Sequence, residues 1–225
     1  MNGMWTTQTP MRDQILQAAV KELAVNGTDF FNTPHLCEQL HIARTLINHH
    51  FGNQLKLIVE AAVYAYEEYI QTLKKAAEKE TLPERRLEAW MSAQHEWFVH
   101  NRGIAALLQM PHPKYAALFS ELFEARMQKG FRYNMAVLAS LVRGVQMNEA
   151  IPLDFTEEDA PYNDFLAQNL ETLMRTASVG MSSLGASVWA AGQTLPSRNV
   201  NEAFLQSASF TQHQKWVLRT IVATT

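Results

Sequence analysis

The sequence predicts an all-α protein in which an N-terminal three-helix, helix-turn-helix unit precedes a larger helical domain. Glycine and proline are sparse, at 9 and 8 of 225 residues. Apolar residues recur at the three- and four-residue spacing of helix faces, and the alternation typical of strands is nearly absent. We place the boundary near residue 54, which gives two domains, residues 1–54 and 55–225.

Proline marks the first two helix starts. Thr9-Pro10 resembles an N-cap followed by proline in the first turn, and Gly27 ends the helix that it opens. Thr33-Pro34 repeats the signal and opens a short second helix over about 34–40.

The third helix is predicted over residues 44–51. This stretch can form about two turns, with Ile47 and Phe51 on one face at the four-residue spacing. Gly52-Asn53 then stops it. Three short helices in about fifty residues, the last two joined by a tight turn, are the layout of a helix-turn-helix.

The larger domain is predicted to be helical almost throughout. A long helix runs from Leu55 to about Glu80, and the capping-box pattern Thr81 to Glu84 opens the next one, which ends near residue 101. Apolar periodicity predicts further helices over about 104–110, 115–127, 135–145, 161–177 and 201–223. Residues 178–200, rich in Ser, Gly and Ala, fit either a packed helix or a loop.

Composition and charge limit the partners and the cellular location that we expect for the protein. The net charge of −3 creates no overall field that favours nucleic acid or anionic membrane, so such a partner would need a local patch. The single cysteine, Cys37, cannot form an intrachain disulfide, and no signal-peptide pattern is present, so we expect a cytoplasmic protein. No run approaches the ~20 apolar residues of a membrane span, and no membrane partner is expected.

Motifs for catalysis are absent from the sequence. There is no G-x-S-x-G elbow and no glycine loop that could cradle phosphate, and Cys37 is expected inside the second helix. We therefore expect no catalytic residue, no enzymatic activity and no cofactor. An enzyme assembled from dispersed residues remains an alternative.

Two histidine groups could suggest a metal. His49 and His50 are neighbours on a helix and so point about 100° apart, with no acidic or thiol ligand at chelating spacing. Glu96 and His100 share a helix face, but His95 does not clearly join them, and such polar residues are more often satisfied core or pocket groups. We expect no metal site.

The helix-turn-helix layout indicates which residues could meet DNA. The third helix would enter the major groove with Arg44, Thr45, Asn48 and His49 facing bases and phosphates, and Arg44 is the best candidate for a contact. Against this, residues 1–57 contain four Lys or Arg and four Asp or Glu, a formal balance of zero that is weak for phosphate binding.

Motif spacing supports the same segment. A DNA-binding motif can be aligned on His50-Phe51; it reads T-x-x-x-I-A-x-x-x-G-V-S-x-x-x-L-Y-x-H-F-x-x-K-x-x-L. The residues of this chain that align with its I-A, V-S, L-Y and final L positions are, in order, Leu36-Cys37, Ile42-Ala43, Ile47-Asn48 and Leu57. The motif is that of the tetracycline-repressor (TetR) family of bacterial transcription regulators, which residues 10–58 therefore resemble. His41, Ala43, Asn48 and Gln54 stand where the family has Gly, Ser, Tyr and Lys, and Thr33 lies one residue nearer than usual.

The resemblance implies a DNA-binding transcription regulator, a repressor whose affinity for operator DNA is set by a small-molecule effector. It also implies a homodimer paired through the helices near 161–178 and 201–223, although these could pack within one chain. The residues it places at DNA are Thr33, Ala43, Arg44, Thr45, Asn48, His49, His50, Gln54 and Lys56. The neutral segment and the replaced family residues leave an alternative, a helical ligand- or partner-binding protein on this scaffold with little DNA affinity.

Aromatic and methionine side chains are concentrated between residues 87 and 135. Ligand sites in helical proteins form between helices and combine such groups with a few polar ones. Because TetR-like proteins bind effectors in this region, we expect a partly apolar effector there. The candidate residues are Trp90, Gln94, Trp97, His100, Met110, Phe119, Phe123, Met127 and Tyr133. A plain hydrophobic core explains the same concentration and remains an alternative.

Overall fold

The computed structural model describes residues 10–109, 113–122, 126–156, 159–165 and 167–169, and among these no strand occurs. The all-α prediction is thereby confirmed. The helices are α1 (Met11–Asn26), α2 (Thr33–Leu40), α3 (Arg44–Phe51), α4 (Gln54–Glu78), α5 (Pro83–His100), α6 (Arg102–Gln109), α7 (Pro113–Leu122) and α8 (Gln128–Met147). Residues 163–165 and 167–169 are also helical. The predictions for 178–200 and 201–223, and most of 161–177, concern residues outside the described ranges.

Asparagine side chains cap two of the helices. The N-cap of α2 is Asn32, whose side-chain oxygen accepts the backbone N–H of His35 at 3.1 Å. Asn53 caps α4 in the same way, accepting the backbone N–H of Lys56 at 2.9 Å. The start of α2 therefore depends on Asn32, one residue before the threonine in the predicted Thr33-Pro34 signal.

The predicted capping box at Thr81 is wrong. The N-cap of α5 is Leu82, and no side-chain hydrogen bond caps this helix. Pro83 suits the first helical position because its backbone angle is already helical and it has no N–H to leave unpaired. The helix consequently begins one residue later than the box with Glu84 would require.

The turn between α2 and α3 is made without glycine. His41 adopts the left-handed conformation, with φ at 53°, and its backbone N–H bonds the carbonyl of Glu38 at 3.2 Å. A non-glycine residue there costs roughly 1–2 kcal/mol. After Ala43, α3 runs to Phe51 and stops at Gly52, which has φ of 78°. The helix-turn-helix layout is therefore present, with a histidine at the turn.

A first hydrophobic cluster joins the three N-terminal helices to the rest of the chain. It contains Leu23 of α1, Leu36 of α2 and Phe51 of α3, together with the first half of α4 and Ile104 of α6. Each of these four named side chains is at most 3% exposed. The orientation of α3 is consequently fixed against α4 by buried packing.

Helix α6 touches α1 backbone to backbone. A Cβ atom at Gly103 would lie 2.1 Å from the carbonyl oxygen of Leu23 and 2.7 Å from the Cα atom of Gly27. No side chain separates the two helices at this point. The first turn of α6 therefore packs directly on the C-terminal end of α1.

A second cluster surrounds α8. The α8 residues from Asn134 to Val142 are all buried, so this helix is covered on every side rather than along one stripe. The second half of α4, helix α5 and Leu153 pack around it.

Within the described residues, no helix combines the length and hydropathy that crossing a membrane requires.

Arg86 fastens the end of α4 to the segment after α8. Its side chain is only 7% exposed; Nη1 donates to the carbonyl of Ile151, and Nε donates to that of Ala77 at 3.4 Å. Burial lowers the pKa of the guanidinium from its ordinary value, and nearby Glu78 raises it in part. The guanidinium thus links two chain segments that are distant in sequence.

Candidate functional site

The exposed face of α3 carries the four side chains that the sequence places at DNA bases. Arg44, Thr45, Asn48 and His49 are all exposed, and their spacing puts them on one side of the helix. The opposite side is anchored by Ile47 and Phe51, which are 1% and 3% exposed. A short helix with one buried and one polar face is the geometry that major-groove insertion requires.

Positive charge near α3 comes from few residues. Arg12 forms an ion pair with Glu60 and lies over the ring of Phe51, 4.9 Å from its centroid. No ion pair within the described ranges involves Arg44 or Lys56, and both are exposed. These two cations, on α3 and in the first turn of α4, are therefore available to an anionic partner.

Two predicted contact residues bond each other instead of facing outward. Thr33 is 2% exposed, and its hydroxyl donates to Oε1 of Gln54 at 2.8 Å. A phosphate contact by Thr33 would require breaking this bond. In this structure the pair joins the first turn of α2 to the first turn of α4.

The remaining predicted contacts lie at the ends of α3. Ala43 is exposed at the N-cap and supplies no side-chain cap. His49 and His50 have ring centroids 5.2 Å apart, and the His50 ring is 6.3 Å from that of Phe51. No group of three His, Cys, Asp or Glu side chains that could hold a metal occurs among the residues described.

Glu22 is a buried carboxylate that supports the helix-turn-helix and was not predicted from the sequence. This carboxylate is 7% exposed; it accepts from Nδ2 of Asn26 at 2.9 Å and from the backbone N–H of Asn32 at 3.3 Å, and it contacts Nδ1 of His35 at 3.1 Å. It fixes the start of α2 to α1. The available signal was a charged residue three positions after buried Ala19, on the apolar face of α1.

Part of the predicted effector region forms an aromatic cluster between α4 and α5. The Trp97 ring lies 4.8 Å from that of Tyr69 and 5.5 Å from that of Phe98. Nε2 of Gln94 donates to the Tyr69 hydroxyl at 2.9 Å. Burial raises the pKa of Tyr69 and of Tyr66 above the ordinary value, so both remain neutral hydroxyls at physiological pH. The two tyrosines were not among the predicted effector residues because they belong to α4, which precedes the aromatic-rich stretch 87–135.

Other predicted effector residues lie elsewhere. His100 is exposed, with Nδ1 2.7 Å from the carbonyl oxygen of Glu96. Tyr133 faces the segment after α8, its hydroxyl 3.5 Å from the carbonyl oxygen of Leu153. Trp90 and Met127 are each 3% exposed; Met127 belongs to the first hydrophobic cluster, whereas Trp90 belongs to the second and shares it with Tyr69. Met110 and Phe123, and the side chain of Phe119, lie outside the described part.

Buried polar atoms without partners occur in α5 and α8. Within the described ranges, Nε1 of Trp90 and Oδ1 of Asn134 have no hydrogen-bond partner, and neither does Oγ of Ser140. Buried polar groups are normally hydrogen-bonded. These atoms lie in the two helices that pack beside the aromatic cluster.

Comparison with known proteins shows the fold. No protein-family model matches the chain, and no curated protein is significantly similar to it in sequence. Among solved structures, it is similar to the crystal structure of the transcriptional regulator FadR from Bacillus subtilis in complex with stearoyl-CoA. The TM-score is 0.52 and the identity 14%, over 95% of this chain and 98% of that one. The chain therefore shares the all-helical fold of that structure.

Proposed function

We propose that this protein is a TetR-like transcription regulator, a repressor whose affinity for operator DNA is controlled by a small-molecule effector. The exposed face of α3 is the observation that carries this proposal. Arg44, Thr45, Asn48 and His49 face outward on a helix that buried side chains hold against the rest of the fold. The fold-level likeness to a transcription regulator supports the same function.

In the proposed complex, Arg44, Thr45, Asn48 and His49 meet the major groove. The residues at the edges of α3 and at the start of α4 would then contact the phosphates. These are Ala43 through its backbone, His50, Gln54 and Lys56. Thr33 would act indirectly, because its hydroxyl holds Gln54. Phosphate contacts supply affinity and register, whereas base contacts supply specificity.

Removing the exposed cation of α3 tests the proposal. We expect Arg44→Ala to weaken binding to DNA from upstream of the protein's own gene by roughly 5- to 150-fold, since a good base contact is worth ~1–3 kcal/mol. Fluorescence anisotropy at several salt concentrations measures this loss. Arg85→Ala is the control, because Arg85 is an exposed arginine of α5 whose ion pair is with Glu88, three residues later on the same helix.

Unchanged affinity in Arg44→Ala would contradict the placement of α3 in the groove. A second function is a helical ligand- or partner-binding protein with little DNA affinity. One observation favours it: Arg12, one of only four Lys or Arg residues in the formally neutral segment 1–57, is paired with Glu60. Absence of salt-dependent DNA binding by the wild-type protein, even at low ionic strength, would favour it over the regulator.

We place the effector beside the aromatic cluster of Tyr69, Trp97 and Phe98. This region offers aromatic walls together with the buried polar atoms of Trp90 and Asn134 that lack partners within the described ranges. Such a mixture suits a partly apolar ligand. Since FadR from Bacillus subtilis was crystallised with stearoyl-CoA, an acyl-CoA is the first probe to use.

Trp97→Ala tests the effector site. We expect stearoyl-CoA to lower the DNA affinity of the wild-type protein and to do so at least about tenfold less effectively in the variant, since Trp97 is a partly buried aromatic whose truncation removes its contacts with Tyr69 and Phe98. The ratio of DNA affinities with and without the probe is measured. His100→Ala, on the same helix but exposed, is expected to keep the wild-type ratio. A full response in Trp97→Ala would mean that the effector binds elsewhere.

The remaining parts of the proposal concern assembly. Residues 1–54 would bind DNA, and residues 55–225 would bind effector and dimerise, through the helices near 161–178 and 201–223. A two-fold homodimer is what two half-sites ~34–36 Å apart require. The proposed site of action is the cytoplasm, without a cofactor.

A further inference from the structure

A second candidate ligand site lies far from α3. A groove of about 560 Å³ lies between the C-terminal end of α8 and residues 162–169, and small-molecule sites typically have 300–1,000 Å³. Its walls are Arg143, the rings of Tyr162 and Phe165, and the amide side chains of Asn163, Gln168 and Asn169. The carboxylate of Asp164 also lines it, so the groove combines one cation, one exposed carboxylate, two aromatic surfaces and several neutral hydrogen-bonding groups.

Arg143 is held between the two aromatic rings. Its guanidinium carbon is 5.3 Å from the ring centroid of Phe165 and 5.7 Å from that of Tyr162. Nη1 donates to Oε1 of Gln146 at 2.7 Å, and Nε is buried without a hydrogen-bond partner among the described residues. Stacking on aromatic faces fixes the plane of a guanidinium, which favours pairing with a planar anion.

The cation has no anionic partner in the described part of the chain. Asp164 lines the same groove, yet no ion pair joins it to Arg143. Asp164 is exposed, so solvent screens its charge more strongly than that of the half-buried guanidinium. The inner part of the groove, at Arg143, therefore favours an anionic group.

The aromatic walls are fixed in place. Tyr162 lies in the left-handed region with φ of 63°, which costs a non-glycine residue roughly 1–2 kcal/mol, and its hydroxyl donates to Sδ of Met147 at 3.6 Å. Nδ2 of Asn169 donates to the backbone carbonyl of Phe165 at 3.1 Å. Unfavourable backbone conformations of this kind are concentrated at binding sites.

The groove lies near the C-terminal end of α4, whereas α3 packs at the N-terminal end of α4. Gly144, next to Arg143, packs on Ile151, and Arg86 connects the carbonyl of Ile151 to that of Ala77 near the end of α4. Helix α4 has 25 residues, so its two ends are about 36 Å apart. Binding here would not compete sterically with DNA at α3.

We propose that this groove binds a small organic carboxylate. The carboxylate pairs with Arg143, the apolar body of the acid packs on Tyr162 and Phe165, and the amide side chains bond its polar substituents. The site is distinct from the effector site proposed beside Trp97, and its existence does not depend on regulator function.

Calorimetric titration of the full-length protein tests the proposal. The probes are benzoate, phenylacetate and octanoate, each up to about 10 mM, where a ligand of millimolar Kd approaches saturation. We expect saturable binding of at least one probe. Arg143→Gln should weaken it at least about tenfold, and Arg143→Lys, which keeps the charge but loses the planar fork, should weaken it less. Arg85→Gln, an exposed arginine in α5, should bind as wild type.

Thermal melts of the variants establish that they are folded before titration. Saturable binding of none of the three acids would overturn the proposal, as would equal affinity in wild type and folded Arg143→Gln. Binding of inorganic phosphate without binding of any carboxylate would overturn the assignment to an organic acid. Because DNA is absent from the assay, these results are independent of whether α3 binds an operator.

Discussion

Replacing Gly103 by alanine is expected to destabilise the protein by about 3 kcal/mol, the upper part of the range for forcing extra atoms into packed structure. The added Cβ would lie 2.1 Å from the carbonyl oxygen of Leu23 and 2.8 Å from the backbone nitrogen of Gly27. Both obstacles are backbone atoms, so no side-chain rotation relieves the clash. Helix α6 must move away from α1, and urea unfolding should show the loss as a lower midpoint.

Gly130→Ala is the matched control for this glycine. In that position a Cβ would come within 2.9 Å of Cδ1 of Ile70, which is the end of a flexible side chain. Alanine also favours the helix by up to about 1 kcal/mol relative to glycine, so the two effects nearly cancel. Equal unfolding midpoints for the Gly103 and Gly130 variants would show that the α1–α6 contact is looser than described.

The contact at Gly103 also offers a route for the proposed regulation. An effector changes DNA affinity only by binding two conformers unequally. Because α6 packs directly on the backbone of α1, a shift of α6 would displace α1. Glu22 of α1 would move with it, and this carboxylate bonds the backbone N–H of Asn32 at the start of α2. The same substitution should therefore alter the effect of stearoyl-CoA on DNA binding, measured in the folded fraction.

Arg86→Ala is expected to cost about 2–4 kcal/mol, because two carbonyl contacts and buried packing are lost together. The Arg86 side chain is buried, and its guanidinium donates a hydrogen bond to the carbonyl of Ile151. Arg86→Lys should be less harmful, since one ammonium can reach one carbonyl but cannot replace the guanidinium fork. Thermal or chemical unfolding measures both variants.

The neighbouring arginine gives the control. Arg85 is 66% exposed and pairs with Glu88 three residues later, a surface pair worth at most about 1 kcal/mol. Arg85→Ala should therefore change the free energy of unfolding by under about 0.5 kcal/mol. Similar losses in Arg85→Ala and Arg86→Ala would contradict the role assigned to the buried guanidinium.

Helices were the part of the fold that local sequence patterns predicted well. Residues 44–51 were predicted as α3 and form α3, because the turn signal Gly52-Asn53 and the apolar spacing act within a few residues. The long helix predicted from Leu55 to Glu80 is Gln54–Glu78. The capping box at Thr81 failed because proline decided the helix start.

Contacts distant in sequence were not predictable in the same way. The bond from Thr33 to Gln54 spans 21 positions, and the bond from Arg86 to Ile151 spans 65. No local pattern encodes such a pairing. The concentration of aromatic residues likewise did not show which face of its helix each one occupies. Tyr133 lies against Leu153 in the segment after α8, whereas Trp97 lies against Tyr69 of α4.

The way α3 is anchored has an evolutionary consequence. Ile47 and Phe51 are its buried residues, and the positions 44, 45, 48 and 49 are exposed. Substitutions at exposed positions usually change stability by less than about 0.5 kcal/mol. Selection for the fold and selection for the proposed DNA recognition therefore act on different residues of one helix. If α3 reads DNA as proposed, substitutions at the four exposed positions change the target while the scaffold stays intact.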